Sequence, residues 1–185
     1  MRKLIAATNV TLDGFCDHTD MTADEEIHQY YTDLLNNLGA VLYGRITYQL
    51  MESYWPTLVQ KPSGIKSMDD FAAAIDNIPK VVFSHTMKNV EWKTAKLATG
   101  DIKEEVLKLR QQAGKDILVG SRSLIVTLLN LNLIDEVRLC VHPVILGNGL
   151  SPLLKNISDR IDLKLLKTQT FRCGAIVLYY EPAKK

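Results

Sequence analysis

The sequence predicts an α/β fold: a three-layer sandwich with a mostly parallel central sheet, helices on both faces and an antiparallel C-terminal hairpin. Three observations carry that prediction. Short apolar runs alternate with stretches of helical period up to residue 131. Glycine and hydroxyl residues stand where apolar runs give way to helical ones. Beyond residue 136 the period falls to two, with a turn at Arg172-Cys173-Gly174.

The elements follow in order. Residues 3–10 are apolar and β-like. Residues 23–38 place Ile27, Tyr30, Tyr31, Leu34, Leu35 and Leu38 at three- and four-residue spacings, which predicts an amphipathic helix ended by Gly39. A buried strand over 40–43 closes at Gly44. A second helix begins at Arg45 or Thr47 and stops at about Tyr54, before Pro56, and residues 55–66 read as a loop. Ser67-Met68-Asp69-Asp70 resembles a capping box for a helix to about Asp76. Residues 80–84 form the next strand. Asp101-Ile102-Lys103-Glu104 opens a helix through Gln112, with Gly114 at its end. A strand over 116–119, a turn at Gly120 and a helix over 122–131 complete the alternating part. Residues 136–146 then alternate, with Val137, Leu139 and Val141 on one face and Arg138, Cys140 and His142 on the other. Residues 161–171 and 175–181 form the hairpin.

Composition bounds the function. The 185 residues predict one domain over 1–185, on a prior of roughly 150 residues per domain. Lys plus Arg is 22 and Asp plus Glu is 21, a net charge of +1, which argues against coating nucleic acid or an anionic membrane. Cys16, Cys140 and Cys173 lie far apart with no C-x-x-C spacing, so neither a zinc ribbon nor a thioredoxin-like motif is present. The first apolar run breaks at Thr8-Asn9 and reaches Asp13 too soon for a signal peptide. A cytoplasmic protein is expected, acting on a small molecule, without nucleic acid, membrane or metal as partner.

In a parallel sheet, ligands bind beyond the carboxyl ends of the strands, where helix N-termini present free N–H groups. Three junctions carry suitable residues. At the first, Gly44 admits close backbone approach, Arg45 supplies a positive fork and Thr47 a hydroxyl, a set suited to phosphate; a turn glycine with two surface residues is the alternative. The second, Ser84-His85-Thr86, offers two hydroxyls and an imidazole for a ribose or its phosphate, against ordinary turn chemistry. The third, Gly120-Ser121-Arg122-Ser123-Leu124, offers a pyrophosphate seat, with a plain serine N-cap as the competing reading. Together they suggest a dinucleotide. Cys140 and His142 share a strand face without a third ligand, so packing is their expected role.

The motifs also carry a resemblance. Leu4-Ile5-Ala6-Ala7 with Leu12-Asp13-Gly14-Phe15, then Gly44-Arg45-x-Thr47-Tyr48, Ser84-x-Thr86 and Val119-Gly120-Ser121 appear in order. Leu133-Ile134-Asp135-Glu136, Pro143-Val144-x-Leu146-Gly147-x-Gly149 and the hairpin follow. This resembles the dihydrofolate reductase-like fold and, more closely, the reductase domain of the bifunctional riboflavin-biosynthesis deaminase-reductase in its stand-alone form.

The resemblance implies an NADPH-dependent reductase that passes a hydride to a small heterocyclic acceptor. Gly44, Arg45 and Thr47 would flank the pyrophosphate together with Gly120, Ser121, Arg122, Ser123 and Leu124. Ser84, His85 and Thr86 would meet the 2′-phosphate, and Ala7 and Gly14 would border the nicotinamide. Asn9, Phe15, Glu25, His28, Leu50 and Met51 would line the substrate cleft, formed by the first strand, the 11–25 loop and the two first helices. Asp13 is the candidate proton donor, with a turn aspartate before Gly14 as its alternative role.

A true dihydrofolate reductase carries a carboxylate in its first long helix, where this chain has His28 with Glu25 nearly a turn earlier. Folate reduction is therefore one alternative, and a nucleotide-binding protein without turnover another. The resemblance further implies a homodimer, for which the strand over 137–146 is the expected edge.

Overall fold

The computed structural model describes residues 1–16, 21, 23–147 and 152–183. Its strands are β1 (Leu4–Thr11), β2 (Ala40–Gly44), β3 (Lys80–Phe83), β4 (Ala95–Leu97), β5 (Ile117–Val119), β6 (Glu136–His142), β7 (Leu163–Thr170) and β8 (Ile176–Pro182). They form one sheet in the order β4-β3-β2-β5-β1-β6-β8-β7. Pairing is parallel from β4 to β6 and antiparallel for β6–β8 and β8–β7. The helices are α1 (Glu25–Asn36), α2 (Arg45–Gln60), α3 (Lys66–Asn77), α4 (Ile102–Gln111) and α5 (Arg122–Asn130).

The alternation of side chains along β1 decides the layers. Leu4, Ala6 and Val10 pack with Val106, Leu109, Leu124, Ile125 and Leu128 of α4 and α5. Ile5 and Ala7 pack with Leu34 and Leu35 of α1, Leu38 just beyond it, Tyr48 of α2 and Phe71 and Ile75 of α3. A third cluster joins Ile27 of α1 to Cys140 of β6, Phe171, and Val177 and Tyr179 of β8. The three-layer α/β sandwich read from the sequence is the observed fold.

Four local readings change. Helix α2 does not stop before Pro56 but continues to Gln60. Proline inside a helix costs about 3 kcal/mol. Packing offsets it, with Trp55 edge-on to Phe71 of α3 at 4.5 Å between ring centroids. The capping box at residues 67–70 is not formed either: the N-cap is Ile65, without a side-chain bond. Asp69 instead reaches back and accepts from the Ser63 amide and hydroxyl, both at 2.8 Å, and from the Gly64 amide at 3.1 Å.

Strand β4 was not expected, because three residues are too few to show a period. Finally, β6 ends at His142 and lies between β1 and β8, so it is not an edge. The sheet edges are β4 and β7.

The Leu133-Ile134-Asp135-Glu136 motif has a structural role. Arg110 of α4 donates to Asp135 at 2.6 Å, to the Leu133 carbonyl at 3.0 Å and to the Arg2 carbonyl at 3.2 Å. The same Asp135 oxygen accepts the Leu4 amide at 2.9 Å. One nearly buried ion pair thus ties the start of β1 to α4 and to the entry of β6. Among the described residues, no helix is long and apolar enough to cross a membrane.

Candidate functional site

Parallel pairing from β3 to β6 brings five carboxyl ends to one edge of the sheet, in the order β3, β2, β5, β1, β6. The three junctions singled out in the sequence therefore stand side by side, with the end of β1 beside them.

Residues Gly44 and Ser121 join the first and the third. The Gly44 N–H donates to Ser121 Oγ at 2.8 Å, and Ser121 is buried. The serine therefore does not cap its own helix, and neither α2 nor α5 has a side-chain N-cap. By contrast, α1 and α4 are capped by Asp24 and Asp101. Helix N-termini leave several N–H groups without intrahelical partners. At α2 and α5 no cap side chain answers them, and both helices begin directly at a strand end.

The glycines are fixed by close contacts. A Cβ on Gly44 would meet Ser123 Oγ at 3.3 Å, and one on Gly120 would meet the Tyr43 ring at 3.0 Å. Arg45 is exposed and donates to Gln49 at 3.2 Å, while Thr47 is half-buried. Arg122 donates to the Pro152 carbonyl at 3.2 Å, Ser123 is exposed, and Leu124 is in the core.

At the end of β3, Ser84 Oγ accepts the amides of Thr86 at 3.1 Å and Met87 at 3.0 Å. Its oxygen thus organises the turn, leaving His85 and Thr86 exposed.

Beyond β1 the chain turns tightly. Gly14 takes a φ of +86°, the left-handed region where glycine carries no Cβ penalty. Asp13 accepts the Thr11 hydroxyl at 2.6 Å and the amides of Leu146 at 3.1 Å and Gly147 at 2.8 Å. The Thr11 hydroxyl foremost, then the Gly147 amide, hold its carboxyl below the usual carboxylate range. Asp13 is thus a clamp between the turn after β1 and the segment after β6, kept ionised at neutral pH. Phe15 bridges to Pro152. Gly149, and part of the 11–25 loop expected to border the cleft, lie outside the described residues.

Ala7 is buried on the face of β1 that meets α1 and α2. Two residues further along that face, the side-chain Oδ1 of Asn9 accepts the Tyr31 hydroxyl of α1 at 3.0 Å and lies 3.1 Å from His142 Nε2 of β6. Cys140 Sγ stands 3.7 Å from the same nitrogen. Burial lowers the His142 pKa and pushes the Cys140 thiol up to about 12, so both are neutral near pH 7. Sequence reading took Tyr31, Cys140 and His142 as packing residues. Their one visible signal was the shared face of Cys140 and His142. The partner, Asn9, comes from a strand far away in sequence.

His28 packs against Trp55 and Phe71, at 6.3 and 6.1 Å between ring centroids. Burial lowers its pKa. Glu25 is exposed in the first turn of α1, and the adjacent Glu26 pairs with Arg172 of the hairpin. Met51 packs on the α1–α3 side cluster, and Leu50 is exposed. Among the described residues, no group of three His, Cys, Asp or Glu side chains is placed to hold a metal.

The strand order and paired junctions define a dihydrofolate reductase-like α/β sandwich, with the candidate residues gathered along the carboxyl edge. The chain belongs to the RibD C-terminal domain family, whose profile matches residues 2–177. It is 37% identical over 183 residues to the uncharacterized Bacillus subtilis (strain 168) protein YyaP, covering 97% of this chain and 94% of YyaP.

Two solved structures share the fold. One is a Shewanella sp. PV-4 protein named for riboflavin biosynthesis, with a TM-score of 0.75, 17% identity and coverage of 98% of this chain and 99% of that one. The other is the Thermotoga maritima diaminohydroxyphosphoribosylaminopyrimidine deaminase/5-amino-6-(5-phosphoribosylamino)uracil reductase. Its TM-score is 0.67 at 18% identity, over 98% of this chain and 57% of that one.

Proposed function

We propose that this protein is an NADPH-dependent reductase that delivers a hydride to a C=N or C=O carbon of a ribosylaminopyrimidine-type acceptor. The observation that carries the reading is the pair of uncapped N-termini of α2 and α5, tied together by the Ser121–Gly44 bond. Two adjacent helix N-termini suit a pyrophosphate. Gly44, Arg45, Thr47, Gly120, Ser121, Arg122, Ser123 and Leu124 would hold the pyrophosphate. Ser84, His85 and Thr86 would meet the adenosine side, and Ala7 and Gly14 the nicotinamide.

When bound, the cofactor supplies the hydride; the protein's part is to hold the acceptor against it. The acceptor class is supported by membership of the family and by the fold shared with the Thermotoga maritima enzyme. Asp13, ionised and clamped, is a poor acid, so the proton comes from water. Folate reduction is disfavoured because His28 sits among aromatic rings where a carboxylate is required. The clamped Asp13 also gives weight to a second reading, a nucleotide-binding protein without turnover. The reductase reading carries with it a cytoplasmic homodimer, and sedimentation velocity tests the mass.

Titration with NADPH and NADH, followed by thermal shift and then by loss of reduced-nicotinamide absorbance with a ribosylaminopyrimidine, decides among these. Tight NADPH binding with turnover is expected. Binding without turnover favours the second reading, and no binding of either nucleotide overturns both.

A further inference from the structure

The polar network under the end of β1 fixes the orientation of one amide. Asn9 is partly exposed, whereas His142 is 3% exposed and Tyr31 of α1 is partly buried against the cluster that holds Cys140. Tyr31 donates its hydroxyl hydrogen to Asn9 Oδ1, and His142 Nε2 lies at hydrogen-bond distance from the same oxygen. With the His142 proton on Nε2, the phenol and the neutral imidazole both donate to this oxygen, and the amide turns its nitrogen away from them. Both lone pairs of Oδ1 are then used. The amide nitrogen Nδ2 keeps two N–H groups that meet no acceptor among the described residues.

Those N–H groups lie on the same face of β1 as Ala7, two residues nearer the carboxyl edge. A donor pair that neighbours cannot rotate away is pre-organised for a ligand. Because Asn9 is partly exposed, its unpaired Nδ2 is open to solvent and to a ligand alike.

We infer that Asn9 presents Nδ2–H as the hydrogen-bond donor recognising a carbonyl oxygen or unprotonated ring nitrogen of the acceptor heterocycle, with His142 and Tyr31 as positioning residues. The identity of the acceptor rests on the reductase reading; the oriented amide does not. Ligands lacking such an acceptor atom leave Nδ2 desolvated and unpaired, which is how the site discriminates.

The test has an arm that needs no turnover. In the full chain labelled with nitrogen-15, the ring nitrogens of His142 should report the Nε2–H tautomer. The Asn9 side-chain amide pair should shift when a ribitylaminopyrimidinedione is added. Asn9→Asp, which keeps an acceptor for Tyr31 and His142 but removes the outward donors, should weaken that ligand on the order of tenfold to a hundredfold. The NADPH affinity of the same variant should stay within about twofold, because the donor faces the acceptor and not the cofactor.

His142→Leu should weaken the acceptor less than Asn9→Asp does, and His142→Gln, which restores a donor, should recover most of it. An Nδ1–H tautomer at His142, or undiminished pyrimidinedione binding by Asn9→Asp, overturns the inference. If wild type binds no NADPH but the Asn9 amide still responds to the pyrimidinedione, the reductase reading fails and the inference stands.

Discussion

The hydroxyl of Ser121 accepts the backbone N–H of Gly44 at 2.8 Å, across 77 residues of sequence. This bond spends a natural N-cap residue on a neighbouring junction and leaves the first turn of α5 open. Ser121→Ala should strand a buried N–H and destabilise the protein by about 1–3 kcal/mol in urea unfolding. NADPH affinity should fall with it, whereas Ser121→Thr should retain most of both. An Ala variant with wild-type stability and nucleotide affinity would remove the bond from the account.

Gly120 is required by Tyr43. A Cβ at that position would stand 3.0 Å from the Tyr43 ring, which is itself buried in the core. Gly120→Ala should destabilise by about 1–3 kcal/mol through overpacking. Adding Tyr43→Leu should make the alanine less harmful than it is alone, a coupling that a double-mutant cycle measures.

The Arg110–Asp135 pair predicts a stability effect away from the site. Removing one partner of a buried ion pair typically costs about 3–5 kcal/mol. Asp135→Ala also deprives the Leu4 amide of its acceptor, so it should reach at least that range. Denaturant midpoints of Asp135→Ala and of Arg110→Met/Asp135→Leu give the check, and the double variant should be the more stable of the two.

Lys80 predicts a pH dependence. Its Nζ is fully buried, donates to the Ile78 carbonyl at 2.9 Å and to Thr94 Oγ1 at 2.7 Å, and lies 3.9 Å from the Trp92 ring centroid. Burial lowers its pKa from 10.5 to about 8. Below pH 8 both states hold the proton and the group contributes no slope. Between pH 8 and 10.5 the folded state has released it and the unfolded state has not, so stability rises with pH. Cys140 and the buried tyrosines pull the opposite way at high pH, and the wild-type minus Lys80→Met difference isolates the lysine. That difference should grow in favour of wild type across the window; a flat difference refutes the shift.

Thiol reactivity should rank the three cysteines. Cys173 is exposed in the hairpin turn, Cys16 is half-buried and Cys140 is buried. With a thiol reagent at pH 8, one cysteine should react at once and Cys140 only on unfolding. Rapid modification of Cys140 in the native protein would contradict its burial against Ile27 and Val177.

Much of the fold was legible because local patterns determine it. The 3.6-residue spacing of Ile27, Tyr31, Leu34 and Leu35 is a local pattern that marks α1. The short apolar runs before Gly44 and Gly120 mark strands that are covered on both faces. Failures came where packing overrides local preference. Pro56 stays inside α2 because Trp55 packs on Phe71, and Ser67 loses its cap to Asp69's reach toward Ser63. Strand β4 exists only as a partner for β3.

The sequence by itself determined which junctions carry glycine, hydroxyl and arginine groups, and hence where a dinucleotide is to be sought. Only the tertiary structure decided what those groups do. Sheet order put β2 beside β5, so Ser121 serves Gly44 instead of its own helix. It likewise put β1 beside β6, so Asn9 meets His142 across 133 residues. Such pairings depend on strand neighbours and register, which no local period encodes.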